Sequence, residues 1–577
     1  MCKCVSRLSV FFVLMFISEV TLSLPFNTFD PRSMAMGSTG VAVDDPSLAP
    51  FFNPAMLSAA DHSKKFSFDL ILGASLIDPG NLHTNWTTLS DIGKTLPGAG
   101  TDLNTNSATL SSNTTVLSNN ITALSNTIAA IPAASTIIDA NSAAAALASL
   151  TPVATKLGNV TNSMATVSSN STTVGNNVNT VTADITKVNQ VLNSLNSHPV
   201  QADFGAGVVL AIPGREWGIA IYKDVWAAMG GALVYKDSST VTTITTAGTT
   251  IGTNLLGIGT ATGTATTDLN AASTLLNNAI AVCSTTAITA AGSYTPCQNA
   301  LNSANTSLNT AKNTVTATST TVTANAGNIT TAAANVNPGS TTLQSQIHIR
   351  GVAVTEGGVS ISHAQVSNDI DWSWGITPKV MQLRLYDATL ATSSKVSNLT
   401  GNDYLAYYST LNFDVGLAKT YLSGWRTGIV VKNVIPQSFE FKNAPSAGAT
   451  PVANGSTLYL TPQVRGGISY EYPKWFTVAF DADLTRNDPA GLEDPSQFVA
   501  LGGEISTSDW TQIRAGYRAD LVNAARNVAS VGLGVSPRVP NFKTHFDIAL
   551  TASPDIFKNG LDGATQVGLA MKFGLNF

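Results

Sequence analysis

The sequence predicts an all-β membrane protein, an antiparallel transmembrane barrel of about fourteen strands. Three observations lead there. The chain opens like an exported protein, it has no later run apolar enough for a membrane helix, and its last strand alternates apolar with polar or small residues up to Phe577.

At the N-terminus, Lys3 and Arg7 precede an apolar run from Leu8 to Ile17, and small Thr21 and Ser23 follow. Residues 1–23 therefore read as a signal peptide, with the mature chain starting near Leu24. The run is too short to span a bilayer. Charged residues are 11% of the 577, against roughly 25% in soluble domains, while hydrophobic residues are an ordinary 44%. Thr, Asn, Ser and Gly take the place of charge. A net charge of -5, with no basic stripe and no groove mixing aromatic and basic residues, gives no reason to expect direct nucleic-acid binding. The implied destination is the outer membrane of a Gram-negative bacterium, where only a closed barrel satisfies every backbone group.

The final segment, 566–577, sets the pattern. Val567, Leu569, Met571, Phe573, Leu575 and Phe577 share one face, and Gly568, Ala570, Lys572, Gly574 and Asn576 the other. A terminal aromatic on such a strand resembles the signal read by the barrel-assembly machinery, one expected partner beside outer-membrane lipid. Working backward, comparable segments fall at 541–551, 528–536, 510–520, 497–506, 475–485, 458–471, 426–435, 407–419, 376–388, 346–365, 216–236, 200–212 and 66–77. With Phe577 in the periplasm, the periplasmic connections are mostly short and rich in turn formers, such as Pro213–Glu216 and Leu422–Trp425. The long inserts then fall outside. Splitting either long segment, 216–236 or 346–365, into a hairpin would move an insert to the wrong side.

Charge is expected in the lumen. Asp481 and Asp483 share a face opposite Phe480 and Leu484; Gln512, Arg514, Arg518 and Asp520 share another, with Glu504 on the strand between. Acids then oppose bases inside the barrel, either bracing the lumen or lining a ligand path.

Residues 97–199 and 237–345 interrupt the barrel. Both are Thr/Asn/Ser/Ala mixtures, yet they carry a period. Leu103, Leu110, Leu117, Leu124 and Ile131 recur every seven residues. Leu150, Leu157, Met164, Val178, Ile185 and Leu192 form one later series, and Val153, Val160, Val167, Val174, Val181, Val188 and Leu195 another three residues on. Insert one reads as a helical hairpin with its tip near 132–151, and Thr151-Pro152 as the start of the second arm. Such an arm would reach roughly 65–70 Å at 1.5 Å per residue. A disordered or β-rich loop is the competing reading. Insert two repeats the design, with Leu301, Leu308, Val315, Val322, Ile329 and Val336 on one arm and Leu255, Leu269, Leu276 and Cys283 on the other. Gly248 to Gly263 breaks that arm's pattern. Cys2 and Cys4 leave with the signal, so Cys283 and Cys297 remain, suggesting one disulfide at the tip in an oxidising compartment. A two-ligand metal site is the weaker alternative.

The segment Phe29-DPRSMAMGSTGVAVDDPSLAPFFNPAM-Leu57, with its Asn53-Pro54-Ala55 motif, resembles the opening of FadL-like outer-membrane channels. The resemblance implies an N-terminal plug, residues 24–62, inside a fourteen-stranded barrel over 63–577. Trp374-GITPKVMQLRLYD, Gly428-IVVKNVIPQSF, Phe480-DADLTRND, Ala500-LGGEI and Gln512-IRAGYRADL resemble the conjugal-transfer TraF-like membrane family, distinct from the thioredoxin-like protein sharing that name. That family implies an envelope role in conjugation, with envelope proteins as partners. Three readings follow: a conjugation or envelope component with surface stalks, a passive channel for hydrophobic small molecules, or an adhesion and display protein. A strand kink at Gly230-Gly231 or Gly357-Gly358 would favour the channel. An enzyme is not expected: His62, His83, His198, His348, His363 and His545 are scattered without metal-ligand spacing, and no cofactor or metal is implied.

Overall fold

A computed structural model describes residues 29–59, 66–80, 82–336, 344–365, 370–391, 402–442, 444–445, 457–472, 475–487, 492, 494–539, 542–559 and 564–576. The signal segment 1–23, Leu24 and the terminal Phe577 lie outside the described residues. The chain divides into two compact units, one of residues 1–86, 192–236 and 344–577, the other of 87–191 and 237–343.

The first unit is a closed antiparallel barrel of fourteen strands. In chain order they are β1 (Ser67–Ile77), β2 (Val200–Ile212), β3 (Trp217–Val234), β4 (Gln346–Gln365), β5 (Ile370–Ala391), β6 (Leu405–Tyr421), β7 (Trp425–Lys432), β11 (Gln463–Tyr472), β12 (Phe476–Asp483), β13 (Phe498–Ser508), β14 (Thr511–Asp520), β15 (Val528–Val535), β17 (Phe542–Ala552) and β18 (Gln566–Asn576). Short β8 (Gln437–Glu440) and β10 (Thr457–Leu460) pair as a separate hairpin, β9 (Ala444–Pro445) touches β5, and β16 (Arg538–Val539) touches β17. Closure is by β1 against β18, in unbroken register from Ser67↔Asn576 to Ile77↔Gln566. The described helices include none long and apolar enough to cross a membrane.

Alternation decides which way each side chain points. Leu70, Leu72 and Leu76 on β1 and Leu569, Met571 and Phe573 on β18 are exposed on the outer surface, while Asp69, Ala570 and Lys572 are buried inside. Exposed Trp217, Trp372, Trp374, Trp425, Tyr472, Trp475 and Trp510 gather at one rim, as aromatic girdles do at a membrane interface. Both inserts join strand ends at the opposite rim: Ile77 pairs with Gln201, and Val234 with Gln346. The two long segments are single strands, β3 of 18 residues and β4 of 20. Since about ten residues cross a bilayer, β3 to β6 extend well past it. β5 starts at Ile370, ahead of residue 376, because Trp372 and Trp374 continue its outward face. Register runs unbroken through Gly230-Gly231 on both sides. Beside Gly358 the pairing lapses at Pro378, which has no N–H to give, and resumes in the same register at Ile361↔Ile376.

The second unit is helical: α3 (Leu82–Ala129), α4 (Ala140–Ser197), α5 (Ser238–Val282), the short α6 (Thr285–Ala291) and α7 (Thr295–Val336). (Helices α1, Pro31–Ala35, and α2, Met56–Ala59, belong to the N-terminal segment, below.) The two inserts are not separate hairpins. One apolar cluster runs through both, joining Leu103, Leu110, Leu117 and Leu124 to Val153, Val160 and Val167, and on to Ile251, Ile258, Leu269, Leu301 and Leu308. Gln298 Nε2 also donates to Ile137 O at 2.7 Å, fastening one tip to the other. Two differences from the sequence reading have plain causes. α3 starts at Leu82, ahead of the shift in composition at residue 97, and carries Pro97 inside it. α4 starts at Ala140, so Pro152 is interior rather than an N-terminal residue. The start is set by a reciprocal cap. Ser142 N donates to Asp139 Oδ1 at 2.7 Å, and Asp139 N to Ser142 Oγ at 3.1 Å. The Ser142 hydroxyl, which donates to Asp139 Oδ1 at 2.7 Å, and then the Ser142 N–H hold the Asp139 carboxyl below its usual range. The Gly/Thr stretch is continuous helix. Ile251, Ile258 and Ala265 keep a seven-residue seam there, and Gly248 and Gly257 lie where Thr182 and Asn325 come close. Cys283 and Cys297 are joined by a disulfide at the end of insert two.

Candidate functional site

The lumen holds the N-terminal segment as a plug, and the site is built where plug meets wall. Helix α1 (Pro31–Ala35) begins with Pro31 in its first turn and Asp30 as cap, its carboxylate accepting Ser33 N at 3.0 Å. The chain then turns through Gly37 at φ 72 and Ser38 at φ 75. A Cβ at Gly37 would stand 2.7 Å from Tyr517 O, so this turn needs glycine both for its left-handed backbone and for its closeness to β14. The Asn-Pro-Ala motif opens helix α2 (Met56–Ala59). Asn53 Oδ1 accepts Ala55 N at 3.1 Å, and its Nδ2 donates to Val41 O and to Leu417 O of β6, both at 3.1 Å. One amide thus folds the plug on itself and ties it to the wall. Phe52, Ala55, Met56 and Leu57 are buried with it.

The wall is shaped to receive this backbone. A Cβ at Gly502 would meet Met36 O at 2.2 Å, one at Gly516 would meet Gly37 N at 2.1 Å, and one at Gly375 would meet Pro54 C at 2.4 Å. These glycines are where plug and strand backbones touch.

Charge completes the fit. Lys572 on β18 reaches Asp30 at 2.8 Å and Asp45 at 3.6 Å. Arg32 makes a two-pronged pair with Glu504 of β13 at 2.8 and 2.9 Å and reaches Asp45 at 3.4 Å. Arg426 of β7 holds Asp44 at 3.0 Å and also pairs with Glu471. Burial pushes the Asp30 carboxyl up, and Lys572 only partly offsets it. Burial works against the charge on Arg32, but Glu504 and Asp45 outweigh it and hold the guanidinium above the ordinary arginine value.

The lumen residues singled out in the sequence divide among these contacts. Asp481 accepts Gly40 N at 2.7 Å and Val41 N at 3.0 Å, gripping the plug rather than facing a base. Glu504 stands opposite Arg514 in register and bonds it at 2.6 Å; Arg514 also pairs with Asp547. Asp483 pairs with Arg465, its register partner on β11. Arg518 lies over the Phe498 ring at 4.5 Å and donates to Ser38 Oγ at 3.4 Å. Sequence reasoning missed Lys572, Asp547, Arg465 and Arg426 as site residues. Each sits at an inward position of a correctly placed strand, which was the available signal.

There are two further inward groups, the first reaching the plug through Tyr222, whose ring packs edge-on against Phe51 at 5.4 Å. Lys379 sits between Asp414 at 3.1 Å and Glu356 at 3.3 Å, with Tyr222 donating to Glu356 at 3.1 Å. Arg350 and His348 both engage Asp387, at 2.8 and 2.9 Å. Beside them an apolar patch of Trp226, Val352, Met381 and Leu383 is covered by Phe439, Leu458 and Leu460 of the β8–β10 hairpin, with Arg350 over Phe441 at 4.6 Å. Among the described residues no group of three or more His, Cys, Asp or Glu is placed to hold a metal ion.

Strand pairing, girdle and plug together define an outer-membrane β-barrel with its N-terminal segment folded into its lumen. More narrowly, residues 50–483 match the family described as the F plasmid transfer operon TraF protein, and the chain belongs to that family. Among solved structures it is similar to the Pseudomonas putida toluene transporter TodX, at 8% identity and a TM-score of 0.37, covering 96% of this chain and 99% of that one. It is also similar to a Pseudomonas aeruginosa FadL homologue, at 7% identity and a TM-score of 0.38, covering 96% and 99%. Similarity at this level says nothing of what the barrel carries. No curated protein matches the chain.

Proposed function

We propose that the barrel is a plugged outer-membrane scaffold whose two inserts build one exterior helical module, and that this module makes the envelope or cell-to-cell contacts of conjugative transfer. The observation that carries this reading is the shared core of the inserts. Two loops far apart in the sequence bury Leu110, Val160, Ile258 and Leu308 in a single cluster, which is the construction of a folded module rather than of loose rim loops. The plug supports it, since ion pairs and glycine contacts all around the lumen hold it in place. The conjugative part rests on the family description. Deleting both inserts and measuring mating, adhesion and solute uptake tests the reading. Loss of mating or adhesion with uptake intact agrees with it; unchanged mating and adhesion sinks it.

A second reading, a passive channel for hydrophobic small molecules, is favoured by the apolar patch under the β8–β10 hairpin. Conductance and apolar-solute uptake by purified protein in liposomes decide it. The absence of both conductance and uptake would rule the channel out.

A further inference from the structure

Aromatic residues aside, outward polar side chains on the described barrel strands fall in two places. One is the aromatic rim, where Lys419 lies 4.7 Å from the ring centres of both Trp372 and Tyr421. The other is one patch on β3 to β6: Lys223, Thr355, Gln382, Arg384 and Ser409. Register gathers them. Thr355 pairs with Gln382 and Gln382 with Ser409, which sets an amide between two hydroxyls in one row. Lys223 and Arg384 flank that row at the next outward positions, Lys223 beside Gly357 and Arg384 beside Ala353 and Tyr407.

The patch interrupts the apolar wall rather than bordering it. Along β3, exposed Ile221 precedes Lys223 and exposed Met229 follows it. Along β4, Ile347 and Ile361 lie on either side of Thr355, and on β6 exposed Tyr407 and Leu411 flank Ser409. Between Ile349 and Val359, β4 shows only Gly351, Ala353, Thr355 and Gly357 outward, so nothing bulky keeps another chain off this strand. None of the five polar side chains has a hydrogen bond or ion pair among the described residues; the contact of Arg384 is the Tyr407 ring, 5.9 Å away.

We infer that this patch is an interface for another membrane-embedded protein whose facing segment carries carboxylates. Lipid tails give its amide, hydroxyls and cations no partner, and a cation set among lipid-facing apolar residues is destabilising. Charge complementarity names the occupant. The outward faces of the described barrel strands hold no Asp or Glu, so a second copy would bring only the same cations. An acidic partner pairs with Lys223 and Arg384, and the small residues of β4 let its backbone approach the Thr355–Gln382–Ser409 row.

Photo-cross-linking of the full-length protein in its own outer membrane tests this, with benzoylphenylalanine in place of Val225, which pairs with Thr355. Irradiation should join the chain to another envelope protein, through a peptide of that protein containing Asp or Glu. Lys223→Met with Arg384→Met should cut the adduct roughly tenfold or more, with heat-modifiable migration showing a folded barrel. Exchanging the partner's acid for Lys should cut it as far, and adding Lys223→Glu and Arg384→Glu should restore it. The same probe in place of Leu70 on β1 should give no such adduct. Adducts with lipid alone would make the patch a lipid site, and adducts with a second copy a contact between barrels of this chain; either overturns the proposal. So does a joined peptide without an acid, or an adduct undiminished in the folded double variant.

Discussion

Lys572→Met tests what holds the plug. Lys572 is buried among Asp30 at 2.8 Å, Asp45 at 3.6 Å and Asp547 at 3.9 Å. Two of these acids keep another cation when it goes, Asp45 through Arg32 and Asp547 through Arg514. Asp30 keeps only the Ser33 N–H. The perturbation is thus one orphaned buried carboxylate, at the low end of the roughly 3–5 kcal/mol that breaking a buried pair costs. About 3 kcal/mol corresponds to about a 10²-fold rise in the population of undocked plug. The Arg32–Ser33 bond reports it, since Ser33 is buried while the plug is seated. Trypsin cleavage there should quicken about 100-fold when opening and closing outpace cutting, with heat-modifiable migration retained. Asp30→Asn in the same chain should recover most of the protection. The pH dependence has a definite sign. The folded-state pKa of Asp30 is raised, so its contribution to docking is fully present below the unfolded value of about 3.9 and is lost as pH rises through the folded value. The excess cleavage should therefore shrink from pH 8 toward pH 5, after normalising to unfolded chain at each pH. Cleavage within twofold of wild type would refute the reasoning.

Other expectations concern the wall and the helices. Gly516→Ala should unseat the plug and speed the same cleavage while leaving the barrel folded, because its Cβ would fall 2.1 Å from Gly37 N. In α5 a Cβ at Gly252, Gly259 or Gly263 meets nothing within 4 Å; each Gly→Ala change should stabilise the helical unit by about 0.8–1 kcal/mol, read as a higher helical melting temperature at 222 nm. Gly257→Ala should gain less, since its Cβ would lie 2.5 Å from Asn325 Nδ2. The Cys283→Ser, Cys297→Ser variant opens a loop with a sequence separation of 14 and should lower stability by about 3 kcal/mol on the chain-entropy argument. An unchanged helical transition would show that packing alone holds that tip.

Much of the fold was legible because its signals are local. Alternation located all fourteen barrel strands, β3 and β4 included, since inward and outward environments differ at every residue. Heptads marked the long helices for the same reason. What failed was punctuation and partnership. Pro152 looked like a helix start, but the reciprocal Asp139–Ser142 cap lies upstream and the helix runs through the proline. A heptad shows that a helix has a seam, not which helix fills it, so the joining of the inserts through Ile258 and Leu308 was not readable. The Asn53 motif marked the plug, and Glu504 and Arg514 were legible as a lumen pair. The grip of Lys572 on Asp30 was not, because it joins the two ends of the chain across a closed barrel.

The shared core of the inserts is the central claim, and a cysteine pair tests it most directly. A Cβ at Gly248 would stand 2.6 Å from Thr182 Oγ1, across the two inserts. Asn120 and Ser163, bonded at 2.7 Å, offer a control pair within insert one. In intact cells, Thr182→Cys with Gly248→Cys should cross-link as readily as Asn120→Cys with Ser163→Cys, seen as a joined peptide in non-reducing digests. Ready cross-linking of the control pair with none between positions 182 and 248 would contradict the account.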